Sequence, residues 1–214
     1  MFKRTIKVSA SLVIAIAVGL LVGSGTIAAR LKGNIPAKRL KGGTYTSPDG
    51  GFDLTVPPLI TPGAKAEERQ IDQGHMAVVF HDDFGTTYYV SWSDNTQLKT
   101  DVETIAAGYT INEALREKQI VPTARGSELR VALFRAGASP IVSETKVNGK
   151  STLTKLDLYE AHSLFVTDMY VYEVVAGVTA IHSKSDAELF ARAKEHLDTF
   201  LAGLHIKTAA PPGN

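Results

Sequence analysis

The sequence predicts an α+β fold in which a curved antiparallel β-sheet is flanked by helices and preceded by one N-terminal transmembrane or signal helix. Three observations lead to this prediction. Segments of alternating apolar and polar residues are separated by turn sequences, two capping-box sequences each precede an amphipathic stretch, and residues 8–29 carry no charged side chain. No parallel βαβ pattern is visible between these segments.

The first element is the uncharged apolar segment at residues 8–29, which follows Lys3, Arg4 and Lys7. At a rise of about 1.5 Å per residue a helix of this length spans roughly 33 Å, enough for the hydrocarbon core of a bilayer. We favour an uncleaved signal-anchor that holds the domain on the extracytoplasmic (periplasmic) side. The alternative is a cleaved signal peptide ending near Thr26-Ile27-Ala28, which would give a secreted protein. The predicted membrane span includes Val8, Leu12, Ile16, Leu20 and Ala29.

Small residues recur at four-residue spacing within this span. Ala15, Gly19 and Gly23 would lie on one face of a helix, where small side chains let two backbones approach closely. The spacing indicates a helix-pairing face and a homodimer through the span, although Gly and Ala are also common in spans that do not pair.

The rest of the chain divides into three parts. The composition of residues 30–44 predicts a flexible basic tether. Residues 45–206 are long enough to form one globular domain with its own core, and residues 207–214 are predicted to be a disordered tail. After residue 29 the chain has 20 basic and 22 acidic residues, and this near-neutral balance argues against a nucleic-acid partner.

Strands are predicted where apolar residues alternate or turn sequences punctuate the chain. The alternating sets are Phe52, Leu54 and Val56, then Met76, Val78 and Phe80, and then Tyr88, Val90 and Trp92, of which the last two sets form a hairpin. Further strands are predicted at residues 130–135, 141–147, 150–159, 165–175 and 178–182. Hairpin turns are predicted at Asn148-Gly149 and Ala176-Gly177.

Two helices are predicted from capping boxes. Thr100 and Glu103 would cap a helix that runs to about Lys118. Ser185 and Glu188 would cap a C-terminal helix, with His196 and His205 on its surface. Its inward face is predicted to consist of Leu189, Ala193, Leu197, Phe200, Leu201 and Leu204.

The order of these elements and a few spaced residues resemble one family. A turn Asp49-Gly50-Gly51 followed by Phe52 and Pro57, a strand with Tyr172 and a terminal helix with Phe200 are similar to PsbP, the extrinsic photosystem II protein, and to exported bacterial domains of the DcrB type. The resemblance covers about residues 44–206. It implies an α/β/α sandwich and a binding or assembly role, and it transfers no functional residue.

Three sets of residues are candidates for chemical sites. His81-Asp82-Asp83 has metal-binding side chains, but adjacent strand residues point to opposite faces and Asp is common in turns, so no metal site is predicted. Ser143 and Lys146 have the spacing of a nucleophile pair that works only on a helix, whereas the flanking residues predict a strand. Glu160 and His162 would share one face of a strand and could act as an acid–base pair.

The aromatic residues have two interpretations: they could line a ligand groove, or they could form the core and rim of the sheet. This set comprises Tyr88, Tyr89, Trp92, Tyr109, Tyr170 and Tyr172. A carrier of an apolar small ligand would need the first interpretation.

Neither a catalytic residue nor a cofactor is predicted. The sequence predicts a membrane-anchored accessory protein that contacts the bilayer through residues 8–29 and binds or helps to assemble a membrane-complex partner. A periplasmic hydrolase that uses Glu160 and His162 and the carrier of an apolar ligand are the alternatives.

Overall fold

The computed structural model describes residues 38–39, 43–57, 65–72, 74–81, 86–109, 114–139, 142–147, 150–180 and 184–207. The predicted span at residues 8–29, with its pairing face Ala15, Gly19 and Gly23, lies outside the described residues. Within those residues, neither helix has both the length and the apolar character needed to cross a membrane.

The described part of the chain forms thirteen strands and two helices. The strands are β1 (Lys38–Arg39), β2 (Thr44–Thr46), β3 (Phe52–Thr55), β4 (Lys65–Asp72), β5 (His75–His81), β6 (Thr86–Asp94), β7 (Leu115–Thr123), β8 (Gly126–Arg135), β9 (Val142–Val147), β10 (Lys150–Lys155), β11 (Leu158–Val166), β12 (Tyr170–Thr179) and β13 (Leu204–Ile206). The helices are α1 (Val102–Gly108) and α2 (Asp186–Ala202).

Eight strands form one sheet in the order β1-β4-β5-β6-β12-β11-β8-β7, and all of its neighbouring strands are antiparallel. A three-stranded sheet has the order β13-β3-β2, and β9 pairs with β10 as a separate two-stranded ribbon. The mainly antiparallel α+β fold predicted from the sequence is confirmed.

The two helices cover opposite faces of the large sheet. On β11, Tyr159, Ala161 and Phe165 belong to the core that also contains the buried residues of α2 and of the three-stranded sheet. Leu164 is an even-numbered residue of the same strand, whereas the other three are odd-numbered, and it packs with α1. Because successive side chains of a strand point to opposite faces, α1 and α2 lie on different sides of the sheet.

Helix α2 begins as predicted. The Ser185 side chain accepts a hydrogen bond from the Glu188 backbone N–H at 3.3 Å, and the Ser185 N–H donates to Glu188 Oε2 at 2.9 Å. This reciprocal pair satisfies two donors that a helix start leaves open. The predicted inward residues are buried, although Leu204 lies in β13 rather than in the helix.

Helix α1 is shorter than predicted. Its N-cap is Asp101, whose side chain accepts from the Thr104 N–H at 2.7 Å, so the predicted Thr100 box does not form. The helix ends at Gly108, and the residues up to Lys118 that were predicted to be helical include the start of β7. Strand β7 lies at the edge of the sheet and is mostly exposed. Its sequence therefore lacks the alternation of apolar and polar residues from which a half-buried strand is predicted.

The hairpin predictions have mixed outcomes. The β5–β6 hairpin is confirmed, and the pairing of Val147 with Lys150 agrees with a two-residue connection at 148–149, which lies outside the described residues. The predicted turn at Ala176-Gly177 is wrong, because β12 is continuous through both residues and pairs with β11 from a turn at 167–169. Gly177 instead leaves room for the side chain of Leu158 on the neighbouring strand, since a Cβ at residue 177 would lie 3.2 Å from Leu158 Cδ1.

Gly203 is a position where a small substitution should destabilise the domain. It follows α2, and its carbonyl accepts a hydrogen bond from the Thr55 N–H at 2.8 Å. A Cβ at residue 203 would clash with the backbone carbonyl oxygen of Thr55. We expect Gly203→Ala to lower the free energy of unfolding by about 2–3 kcal/mol, because β13 must move away from β3.

Urea unfolding of Gly203→Ala measures this effect. The matched control is Gly43→Ala, because a Cβ at Gly43 meets no atom within 4 Å. Gly43 has φ 75°, so that variant tests backbone strain without the clash. Gly203 has φ −85°, so backbone strain does not affect Gly203→Ala, and a variant as stable as the unaltered chain would show that close approach to Thr55 does not matter.

Candidate functional site

Glu160 and His162, the predicted acid–base pair, lie on the α1 side of the sheet in a buried charge cluster. We define this cluster as Ser91 of β6, Arg135 of β8, Glu160 and His162 of β11, and Glu173 of β12. His162 is 0% exposed and Glu160 is 4% exposed. The strand therefore brings the two residues together on one face, as their spacing predicts.

His162 contacts a carboxylate on each side. Its Nδ1 lies 2.7 Å from Glu173 Oε1, and its Nε2 lies 3.6 Å from Glu160 Oε2. The first distance is a short hydrogen bond, whereas the second is too long for one and is an ion-pair contact. The Ser91 hydroxyl donates to Glu173 Oε2 at 3.5 Å, and Arg135 Nε lies 2.8 Å from Glu160 Oε2.

The charges of the cluster stabilise one another. Burial lowers the pKa of His162, but its contacts with the carboxylates of Glu160 and Glu173 outweigh this effect and raise the pKa to about 9. Burial raises the pKa of Glu160, but its contact with His162 and the nearby Arg135 outweigh it and hold this pKa below its usual value. His162 is therefore a buried cation between two carboxylates at neutral pH.

Two tyrosines lie close enough to these charges to respond to them. Burial, and after it the charge of Glu173, raises the pKa of Tyr89 and of Tyr109 well above the usual value for tyrosine. The Tyr109 hydroxyl is buried and has no hydrogen-bond partner among the described residues. Gly177 lies directly opposite Glu160 on β12 and leaves space beside its side chain.

This arrangement is suited to holding strands together. General acid–base catalysis requires a side chain that exchanges a proton with a substrate, whereas His162 is fully buried and bound to Glu173. His162 links β11 to β12 through Glu173, and Arg135 links β8 to β11 through Glu160, and breaking such buried ion pairs is costly.

Sequence reasoning identified Glu160 and His162 but missed Glu173 and Arg135. Glu173 lies on the face of β12 that carries Val171 and Val175, and its neighbour across β11 is Leu164. Alternation along β12 could have shown which residues share a face with Glu173. The turn wrongly predicted at 176–177, however, paired the segment that contains Glu173 with residues 178–182 instead of with β11. With the turn at 167–169, period-two alternation places Glu173 and His162 on the same face.

The two other sets of residues, at 81–83 and at 143–146, were not predicted to be sites. Within the described ranges, no group of three or more His, Cys, Asp or Glu side chains could hold a metal ion. His81 is the last residue of β5, while Asp82 and Asp83 lie outside those ranges. Ser143 and Lys146 both belong to strand β9, as predicted, and not to a helix.

The aromatic residues divide between the two faces of the sheet. Tyr88, Trp92 and Tyr172 are buried on the α2 side, with Phe52 packed edge-on against Trp92 at 5.2 Å between ring centroids. Tyr109 packs on the α1 side. These rings fill two separate cores and do not form one surface.

His196 was predicted to be a surface residue and is instead buried. Its Nδ1 lies 2.7 Å from the Tyr88 hydroxyl, and Arg192 Nε donates to its Nε2 at 3.3 Å. A histidine can occupy this position because both ring nitrogens have polar partners, a contact that helical periodicity alone does not reveal. His205 is exposed, as predicted, but it lies in β13 rather than in the helix.

A groove of about 270 Å³ lies between α2 and the β7–β8 edge of the sheet. Two ion pairs cross it, from Lys194 Nζ to Glu117 Oε2 at 2.6 Å and from Arg130 Nη1 to Asp198 Oδ1 at 2.8 Å. The two pairs balance in charge, and the rest of the lining includes the apolar side chains of Val121, Val131 and Leu197.

The β9–β10 ribbon, residues 142–155, is a separate two-stranded unit that we call the arm. It is inserted between the end of β8 and the start of β11 and pairs with no other described strand. Every residue of β10 is exposed, and Leu153 is 70% exposed. A two-stranded ribbon leaves the outer edge of each strand open to pair with another chain.

Comparison with known proteins gives similarity only at the level of structure. No family model matches the sequence, and no curated protein matches it. A protein of Bacteroides thetaiotaomicron VPI-5482 is similar with 12% identity and a TM-score of 0.41 over 79% of this chain, which spans about half (50%) of that protein's length. The solution structure of cyanobacterial PsbP (CyanoP) from Synechocystis sp. PCC 6803 is similar with 11% identity and a TM-score of 0.41, covering 82% of this chain and 96% of that protein. The resemblance to PsbP predicted from the sequence is thus found in the structural comparison as well.

Proposed function

We propose that this protein is a membrane-anchored, non-catalytic accessory protein that binds a partner in a membrane complex through its arm. The observation that carries the proposal is the exposure of the whole β10 strand in a ribbon that pairs with no other described strand. An isolated two-stranded ribbon is marginally stable in water, so a partner strand added at its edge would stabilise it.

The polar chemistry of the domain supports a binding role over a catalytic one. The hydrolase alternative requires Glu160 and His162 to meet a substrate, but both are buried and engaged with Glu173 and Arg135. The carrier alternative requires the aromatic residues to share one cavity, but they belong to two cores.

Replacement of the arm tests the partner-binding part of the proposal. The Ser139 N–H donates to the Leu156 carbonyl at 3.0 Å, so the ends of the arm are adjacent and a short Gly-Ser loop can replace residues 142–155. We expect this variant to lose most of the partner that co-purifies with the full chain in mild detergent. Its unfolding midpoint, followed by Trp92 fluorescence, should stay near that of the unaltered chain.

A chain without residues 208–214 is the control, and it should retain the partner. Unchanged co-purification by the arm-replaced variant would refute a role for the arm. Membrane fractionation tests the anchor separately: the full chain should resist extraction by salt and carbonate, and deletion of residues 2–29 should release it. N-terminal sequencing that places the mature start after residue 26 would favour the cleaved signal instead.

A further inference from the structure

Strand β10 has one open edge, because β9 is its single partner among the described strands. Its four central residues, 151–154, carry no charge, and a lysine stands at each end of the strand. Sheet edges that are protected against pairing usually carry charged residues or proline. Strand β7, the long edge of the large sheet, has such protection in Arg116, Glu117, Lys118 and Pro122. The middle of β10 has none, which suits its open edge to pairing with another strand.

Hairpin geometry decides which backbone groups of β10 face outward. Val147 pairs with Lys150, so two residues connect the strands, and the closing pair of such a hairpin is hydrogen-bonded. Hydrogen-bonded pairs alternate with non-hydrogen-bonded pairs along an antiparallel ladder. Lys150, Thr152 and Thr154 therefore direct their backbone N–H and C=O groups towards β9. The odd-numbered residues, with Leu153 at their centre, direct theirs to the open edge.

The open edge of β10 is complementary to itself. Two copies related by a twofold axis perpendicular to the ribbon can pair antiparallel, with Leu153 opposite Leu153 of the second copy. Thr152 then lies opposite Thr154, and Ser151 lies opposite Lys155. Apolar pairs and Thr–Thr pairs stabilise antiparallel strands, and Leu153, which is 70% exposed in the single chain, would gain an apolar neighbour.

Charge also permits this pairing. Lys150 and Lys155 lie on opposite faces of β10, because side chains alternate and one residue number is even while the other is odd. Residues directly opposite each other in a sheet share a face, so pairing about the twofold axis does not place Lys150 against Lys155. The equivalent arrangement on β9 centres on Glu144, which would be repelled by Glu144 of the second copy. Self-pairing in this register therefore favours β10.

We propose that the partner of the arm is a second copy of this chain, bound by antiparallel pairing of the two β10 strands about Leu153. This inference rests on the proposed function, because it identifies the partner of the arm and needs the anchor. One pair of short strands buries less than the roughly 1,200–2,000 Å² of a stable interface. Two anchored copies share one bilayer, which raises their effective concentration. The helix-pairing face predicted at Ala15, Gly19 and Gly23 would act in the same direction.

Cysteine cross-linking tests the partner and the register together, because the chain contains no cysteine of its own. Full chains that carry Thr152→Cys or Thr154→Cys, each with a different affinity tag, are reconstituted together in phosphatidylcholine vesicles and oxidised. In a non-hydrogen-bonded pair the Cα atoms lie about 4.5 Å apart, which is within the range of a disulfide. We expect a disulfide-linked dimer that contains both tags, and much less of the dimers that contain one tag.

A charge at the centre of the contact gives the second test. Adding Leu153→Lys to both chains places two positive charges opposite each other and should lower the yield of the two-tag dimer several-fold. Leu98→Lys is the matched control, because Leu98 is also exposed (50%) and lies outside the arm. It should leave the yield unchanged. Chains that lack residues 2–29, mixed in solution at the same total concentration, should cross-link much less.

The outcomes separate this inference from the proposed function. A one-tag dimer of the Thr152→Cys chain as abundant as the two-tag dimer would refute pairing about Leu153. Cross-linking that is absent, or that Leu153→Lys does not lower, would refute the second copy as the partner. If the arm-replaced variant then still loses a different protein in detergent, the arm binds that protein and the proposed function stands. If the arm-replaced variant keeps every co-purifying protein, the proposed function fails as well.

Discussion

Replacement of His162 with leucine should destabilise the domain by about 3–5 kcal/mol at pH 7. The variant removes the cation that lies 2.7 Å from Glu173 and 3.6 Å from Glu160. Two buried carboxylates then lose the positive charge that compensates them. Breaking a buried ion pair by removing one partner typically costs this much. Urea unfolding followed by fluorescence measures the change, because Trp92 is the single tryptophan and is 3% exposed.

Two further variants separate charge from packing. His162→Leu combined with Glu173→Gln should recover part of the loss, because the second substitution removes one of the uncompensated charges. His205→Leu is the matched control, since His205 is exposed, and it should stay within about 0.5 kcal/mol of the unaltered chain. Wild-type stability of His162→Leu would refute a stabilising role for the buried charge cluster.

The same histidine should make stability depend on pH. Its pKa is about 9 in the folded state against 6.5 ordinarily, so the charged form is favoured by folding. This contribution is complete below pH 6.5 and is lost as pH rises through 9, a difference of about 3 kcal/mol. Glu160, whose pKa is lowered, contributes in the opposite sense: its stabilisation is present above its usual pKa and is lost in acid.

Unfolding measured at pH 6.5 and pH 9.5 checks the sign. The unaltered chain should be less stable at pH 9.5, while His162→Leu should show a much smaller difference between the two conditions. Tyr89 and Tyr109, which interact with the carboxylates of the cluster, do not titrate in this interval, because their pKa values are raised well above the usual value for tyrosine. A pH-independent unaltered chain would show that His162 is not charged in the fold.

Local sequence rules predicted the parts of the fold that local physics determines. The Ser185 capping box needs only four residues, and the alternation of Tyr88, Val90 and Trp92 needs only one buried face. Both were therefore readable without a structure. The extent of α1 was not, because β7 is exposed on both faces and has helix-forming residues such as Lys118 among its strand residues.

The candidate site depends on register, which a single sequence specifies less directly. Period two places Glu160 and His162 on one face, but only the position of the β11–β12 turn decides which residues of β12 meet them. Gly177 was interpreted as a turn residue, whereas its function is to leave space beside Leu158 and Glu160. Arg135, the partner of Glu160, lies on β8, and rules based on neighbouring residues do not predict that β8 pairs with β11.

Phe200→Ala should also destabilise the domain by about 3–5 kcal/mol. Phe200 is fully buried, and its ring lies 5.0 Å from that of Tyr88 and 5.8 Å from that of Phe80. These contacts join α2 to β5 and β6, so truncation removes apolar contact from both strands and leaves a cavity between helix and sheet. Urea unfolding gives the size of the loss, again with Trp92 as the reporter.

Two comparisons make the Phe200 result specific. Phe200→Leu should cost less than Phe200→Ala, because it keeps most of the apolar volume but loses the ring contacts. Ile120→Ala on the exposed edge strand β7 is the control and should cost well under 1 kcal/mol. If Phe200→Ala were no more costly than Ile120→Ala, α2 would not be held to the sheet by this aromatic contact, and its attachment would have to come from the other buried residues of the helix, Leu189, Ala193, His196, Leu197 and Leu201.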